Sequence, residues 1–200
     1  MKVGIIDADI IGRKKHRFPN LASMKISAWH KNNGDNVALE WSYDNVGNYD
    51  LVYISKVFTD TVVPNGITNL SNVKYGGTGF FYDKAEPLPY AIEHIMPDYH
   101  LYDNWVAEMV EGGAKPSQFD AYQNYSIGFL TRGCFRQCEF CVNKNYKQCI
   151  EHAGVEEFYD PSRKKICLLD DNFFACKDWR KLIEDVKKIN KPFIFKQGLD

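Results

Sequence analysis

The sequence has no cysteine before position 134, no long apolar run and almost no net charge. Its 25 basic residues balance 26 acidic ones, giving a net charge of −1, so no broad electrostatic footprint for duplex nucleic acid is indicated. No apolar run approaches the ~20 residues of a membrane span, and the first six residues resemble a strand rather than a signal peptide. We therefore expect a globular, cytoplasmic protein with no membrane partner.

All six cysteines lie in the second half, and three of them, Cys134, Cys138 and Cys141, are separated by three and then two residues. Three thiols cannot all pair covalently, and a reducing compartment favours metal binding over disulfides. A tetrahedral zinc site needs a fourth protein ligand, which Cys149, His152 or another residue would have to supply. An iron–sulfur cubane fits the spacing better, because three thiolates leave one iron open to a substrate or cofactor. A structural or redox-sensing metal site, holding zinc or iron and sulfide, stays as the alternative.

The residues before the thiols form a short apolar run, 125–130, which predicts a strand that delivers the cysteines on the following loop. A strand followed by Cys-x-x-x-Cys-x-x-Cys resembles the radical S-adenosylmethionine (SAM) superfamily, in which this motif follows the first strand of a partial (β/α) barrel. The resemblance implies that Cys134, Cys138 and Cys141 hold a [4Fe-4S] cluster whose open iron chelates SAM. It also implies that Phe140 lies near the adenine of SAM.

The same resemblance implies the chemistry. An electron from the reduced cluster would cleave a carbon–sulfur bond of SAM and release a 5′-deoxyadenosyl radical, which abstracts hydrogen from a substrate. A reducing partner such as flavodoxin or ferredoxin would supply the electron. No residue pattern distinguishes tRNA modification, peptide modification and small-molecule methylation as the reaction.

Two further strands are predicted after the cysteines, at 165–169 and 193–195, with a helix over about 177–190 between them. The first of them ends in Asp170-Asp171-Asn172, which is similar to an acidic motif that contacts the amino group of SAM in the family. We therefore expect Asp171 and Asn172 to bind SAM, although an N-cap for a following helix would explain them as well. Gln197 and Asp200 also follow a strand and either reach the same pocket or form a simple turn.

The first half predicts a strand, a helix and three more strands, which is typical of an open Rossmann-like α/β sheet. We expect a Rossmann-type domain at 1–85 and a linker segment at 86–120, which is interrupted by prolines. Residues 121–200 would then form the first part of a (β/α) partial TIM barrel. The fold class predicted for the whole chain is α/β.

The first half also resembles, more weakly, the cobalamin-binding domains that precede many radical SAM domains. Asp9 stands where some of those domains carry the histidine that ligates cobalt, and a carboxylate is not equivalent to imidazole. We therefore do not expect cobalamin as a cofactor. Residues 76–79, Gly-Gly-Thr-Gly, either admit a cofactor backbone or turn the chain.

Only three barrel strands are predicted, whereas the SAM site of the family draws contacts from later strands as well. The edge of the third strand, 193–195, is uncovered in this sequence, and uncovered edges pair readily with other chains. We therefore expect the chain to be a fragment of a longer polypeptide or to self-associate through this open barrel edge.

Overall fold

The computed structural model describes residues 1–13, 15–197 and 199, and it divides into two compact units. The first unit contains Met1–Tyr122 and the second contains Gln123–Asp200. Both units combine helices with parallel strands, so the chain belongs to the α/β class that the sequence predicts. Within the described ranges, no helix has the length and apolar character needed to cross a membrane.

The first unit is built on a parallel sheet with the strand order β2-β1-β3-β4. Adjacent strands pair in parallel throughout, which is compatible with a Rossmann-like sheet and confirms the four strands predicted from the first half of the sequence. The strands are β1 (Lys2–Asp7), β2 (Asn36–Glu40), β3 (Leu51–Ser55) and β4 (Val73–Gly76).

The predicted helix of the first unit is α2 (Leu21–Asn32), and its N-cap is Asn20, whose side chain accepts a hydrogen bond from the Ser23 N–H at 3.1 Å. A short helix, α1 (Ala8–Gly12), was not predicted; it starts directly after β1 because the Asp7 side chain caps it. The helices that follow β4 along the chain are α3 (Thr78–Phe81), α4 (Tyr90–Glu93), α5 (Asp103–Glu111) and α6 (Asp120–Asn124).

Apolar side chains cover both faces of this sheet. Ile5 and Ile6 are neighbours on β1 and both fully buried, but they belong to different core clusters because successive strand residues point to opposite faces. The cluster around Ile5 includes Trp105 and Phe119. Residues 86–120, which the sequence analysis describes as a linker, thus place large aromatic side chains in the core of the first unit.

The second unit has a parallel sheet of β5 (Tyr125–Gly128), β8 (Lys165–Leu168) and β9 (Phe193–Phe195), in that spatial order. These strands and the helix α7 (Trp179–Lys188) confirm the elements predicted for this region. Leu182 and Val186 of α7 are buried against Ile166 and Leu168 of β8. Two short strands, β6 (Thr131–Arg132) and β7 (Ile150–Glu151), form a separate antiparallel pair.

Candidate metal centre

The three closely spaced cysteines lie on one long loop that the β6–β7 pair closes. Thr131 pairs with Glu151 and Arg132 pairs with Ile150, so the two ends of the loop lie side by side. We call residues 133–149 the cysteine loop. All three thiols on it, those of Cys134, Cys138 and Cys141, are partly exposed to solvent.

The first residue of the cysteine loop, Gly133, has to be glycine for two reasons. Its φ is +94°, in the left-handed region that side chains disfavour. A Cβ at this position would also lie 2.5 Å from the carbonyl oxygen of Gln148 and 2.6 Å from Cβ of Tyr146. The two ends of the loop therefore approach each other too closely at Gly133 for any side chain.

Hydrogen-bond donors are directed at two of the three sulfur atoms. Cys134 Sγ accepts hydrogen bonds from the backbone N–H of Arg136 at 3.4 Å and from Asn172 Nδ2 at 3.3 Å. Cys141 Sγ accepts one from the backbone N–H of Asn143 at 3.4 Å. Both sulfurs are therefore contacted by polar N–H groups rather than enclosed in an apolar core.

The acidic run that follows β8 is hydrogen-bonded to the cysteine loop and to the strand before it. Asp170 Oδ1 accepts from the backbone N–H and the hydroxyl of Thr131, each at 2.6 Å. Asp171 Oδ2 accepts from the Gly133 N–H at 3.1 Å, and its Oδ1 accepts from Asn143 Nδ2 at 2.5 Å. Burial raises the pKa of the Asp170 carboxyl, whereas the bonds from Thr131 act in the opposite direction.

Asp170 belongs to the acidic motif seen in the sequence but was not predicted to bind SAM, and Asn143 was not predicted to be part of the site. The position of Asp170 directly after a buried strand is the one sequence signal that points to it. Asn143 gives no such signal, because its partner Asp171 is 28 positions away in the chain.

Two buried oxygen atoms of the acidic run have no hydrogen-bond partner among the residues that the structure describes. They are Asp170 Oδ2 and Asn172 Oδ1. A buried acceptor without a donor costs free energy, so such atoms in a native site favour an interaction with a further group. Asn172 combines this free acceptor with the N–H that it donates to Cys134 Sγ, next to the first thiol.

The other predicted SAM-binding residues are not buried within the unit. Phe140 is 82% exposed, and Gln197 is exposed just beyond β9. Asp200 lies outside the described residues. Asp171 and Asn172 are thus hydrogen-bonded to residues of the cysteine loop, and Asn172 contacts Cys134 directly. Phe140 and Gln197 are exposed to solvent.

In the described parts of the chain, no three His, Cys, Asp or Glu side chains are gathered closely enough to hold a metal ion. The residue types nevertheless suit an iron–sulfur cluster, because three partly exposed thiols lie on one loop and N–H groups are directed at two of their sulfurs. Metal sites on loops commonly assemble only when the metal binds. The Cys149 thiol fits less well, because burial raises its pKa to about 11 and favours the protonated form.

In the first unit, the residues that would mark a cobalamin site are engaged within the unit itself. Asp9 Oδ2 accepts from the Val57 N–H at 2.7 Å, and its Oδ1 accepts from the Thr61 hydroxyl. A Cβ on Gly77 would lie 2.3 Å from the carbonyl oxygen of Lys56. Close packing against the chain therefore explains this glycine without a cofactor.

Comparison with known protein families, with curated proteins and with solved structures finds no match for this chain.

Proposed function

We propose that this chain is a radical SAM iron–sulfur protein, with Cys134, Cys138 and Cys141 as the ligands of a [4Fe-4S] cluster. The observation that carries this proposal is the set of N–H groups directed at the sulfurs of Cys134 and Cys141. Hydrogen bonds to cluster sulfurs are one of the means by which proteins adjust iron–sulfur centres. Inert core thiols, by contrast, would be buried, as that of Cys167 is.

Held by Cys134, Cys138 and Cys141, a cluster would supply the electron for the reductive cleavage of SAM and, through it, for hydrogen abstraction from a substrate. The residues of this chain have binding and orienting roles. Asn172 Oδ1 is the acceptor we assign to the SAM amino group, because it has no partner in the described chain and adjoins Cys134. The exposed ring of Phe140 offers an apolar face to the adenine, and Gln197 offers an amide at the end of β9.

The strand order of the second unit supports the proposal that it forms the start of a (β/α) barrel. Strands β5, β8 and β9 lie side by side in the sheet in the same order as in the chain, and they pair in parallel, as the strands of such barrels do. The cysteine loop, the acidic run and Gln197 all follow the C-terminal ends of these strands. Barrel enzymes place their active sites at that end.

The proposed reaction requires one low-potential electron, for which we propose a flavodoxin or ferredoxin as the donor. Cobalamin is not part of the proposal. The Asp9 carboxylate, at the position of the expected cobalt ligand, is 1% exposed and accepts hydrogen bonds from Val57 and Thr61.

Anaerobic reconstitution with iron and sulfide tests the ligand assignment. The wild-type chain should take up iron and sulfide in the ratio of a [4Fe-4S] cluster, and Cys134→Ala, Cys138→Ala and Cys141→Ala should each lose the stable cluster. Cys167→Ala is the matched control, because this thiol is fully buried on β8. Equal iron loss in all four variants would refute the assignment. Stoichiometric zinc in the wild-type chain would favour the structural-metal alternative.

A further inference from the structure

We propose that Asp171 is a positioning residue for the cysteine loop: its carboxylate holds the two flanks of the three-cysteine motif together so that the thiols converge on a cluster. This inference deepens the proposed function and rests on it. It assigns Asp171 a role different from the SAM contact expected from the resemblance.

The geometry joins both flanks of the motif to one side chain. Gly133, whose N–H donates to Asp171 Oδ2 at 3.1 Å, immediately precedes the first cysteine. Asn143, whose Nδ2 donates to Asp171 Oδ1 at 2.5 Å, follows the last cysteine by two positions. The whole Cys134–Cys141 segment is therefore enclosed between two donors to a single carboxylate.

Both donors are themselves fixed relative to the sulfurs. The left-handed φ of Gly133 and its close packing against Gln148 set the direction of its N–H. The backbone N–H of Asn143 donates to Cys141 Sγ, so the residue that binds Asp171 also contacts the last thiol. A change at Asp171 should therefore be transmitted to the first and last thiols.

A role as ligand for the SAM amino group would require Asp171 to turn toward a different donor. Both of its oxygens are instead directed at loop donors. The unpartnered acceptor in this run is Oδ1 of its neighbour, Asn172. Asp171 therefore holds the cysteine loop, and Asn172 Oδ1 is available to accept a hydrogen bond from SAM.

Hydrogen bonds to a charged group shift a conformational equilibrium by about tenfold or more. Loss of the Asp171 carboxylate should therefore raise the equilibrium constant for local opening at Gly133 about tenfold. Hydrogen exchange of the Gly133 amide in the metal-free chain should become faster by the same factor. Iron uptake should fall in parallel, because converging the thiols then costs more conformational entropy.

Exchanging the carboxylate and the amide between Asp171 and Asn143 tests this inference. In Asp171→Asn, one of the two loop donors meets an amide N–H₂ and loses its acceptor. In Asn143→Asp, two carboxylates face each other. Combining both substitutions restores one carboxylate, one amide and the acceptor for Gly133, so exchange of the Gly133 amide, iron uptake and the electron paramagnetic resonance (EPR) spectrum should return toward those of the wild type. Asp178→Asn, at an exposed position, is the matched control and should change none of them.

The outcomes separate this inference from the proposed function. Loss in both single variants with recovery in the double variant supports positioning. Normal iron uptake and normal Gly133 exchange in Asp171→Asn, with loss of only the SAM response, would overturn it in favour of a SAM ligand. Loss without recovery in the double variant would also overturn it. If the wild-type chain takes up no iron, the proposed function fails, and Gly133 exchange in the metal-free variants still decides whether Asp171 holds the loop.

Discussion

Asp170 accepts two hydrogen bonds from Thr131, through one carboxylate oxygen that lies 2.6 Å from both the backbone nitrogen and the hydroxyl oxygen. Both residues are fully buried. The contact joins the end of β8 to the start of β6, where the chain enters the cysteine loop. It fixes the base of that loop, while Asp171 and Asn172 contact the loop itself.

Replacing Asp170 with alanine should destabilise the second unit by about 2–3 kcal/mol, because two buried donors of Thr131 then have no acceptor. Urea denaturation followed by far-UV circular dichroism measures this loss. Asp178→Ala is the matched control: Asp178 is exposed and makes no side-chain capping hydrogen bond, so its loss should change stability by less than about 0.5 kcal/mol. Equal destabilisation by the two substitutions would show that the Thr131 contact contributes nothing special.

The first unit should lose stability as pH rises toward neutrality because of Asp7. Burial raises the pKa of this carboxyl to about 7, against the opposing effect of the hydrogen bond from the Tyr102 hydroxyl at 2.8 Å. The folded chain therefore holds a proton that the unfolded chain releases near pH 4. The protonated Asp7 contributes its full share to the free energy of unfolding below about pH 4, and this share is lost as pH rises through about 7. The free energy of unfolding should fall by at most about 1.4 kcal/mol per pH unit in this range.

Asp7→Asn should remove that slope, since an amide does not titrate in this range. Urea denaturation of both proteins at several values between pH 4 and pH 8, followed by tryptophan fluorescence, tests this expectation. Asp44→Asn, at an exposed position, should keep the wild-type slope. An unchanged slope in Asp7→Asn would mean that another group is responsible.

We expect Gly77, which directly follows β4, to be needed for folding of the first unit rather than for binding a cofactor. Gly77→Ala forces a residue with φ of +102° to carry a Cβ 2.3 Å from the Lys56 carbonyl oxygen, so it should destabilise the first unit by at least about 2 kcal/mol. Gly47→Ala meets no atom within 4 Å and should be neutral or stabilising by about 0.5 kcal/mol. Thermal unfolding of the cofactor-free proteins distinguishes them, and equal melting temperatures would contradict this explanation.

The strands were predictable from sequence because their signals are local. Leu51–Ser55 and Lys165–Leu168 are short apolar runs bounded by turns, and the structure has strands at both. The helix α1 was missed because its start depends on the Asp7 side chain, within a stretch whose composition is otherwise that of a loop. Local patterns therefore predicted most of the sheet framework.

The internal contacts of the candidate site depend on long-range pairs, which local patterns do not contain. Asp171 meets Gly133 across 38 positions, and Asp170 meets Thr131 across 39. The sequence indicates that acidic residues follow a strand near the cysteine loop, but not which donor each one binds. That Asp171 and Asn172 have different hydrogen-bond partners is evident only from these contacts.

The EPR spectrum of the reconstituted, reduced chain, recorded before and after SAM is added, tests directly whether the cluster binds SAM. A cluster held by Cys134, Cys138 and Cys141 leaves one iron without a protein ligand, so SAM should bind there and change the spectrum. We expect a SAM-dependent change in the wild-type chain that Asn172→Ala weakens. A reduced cluster whose spectrum is the same with and without SAM would contradict the proposed function.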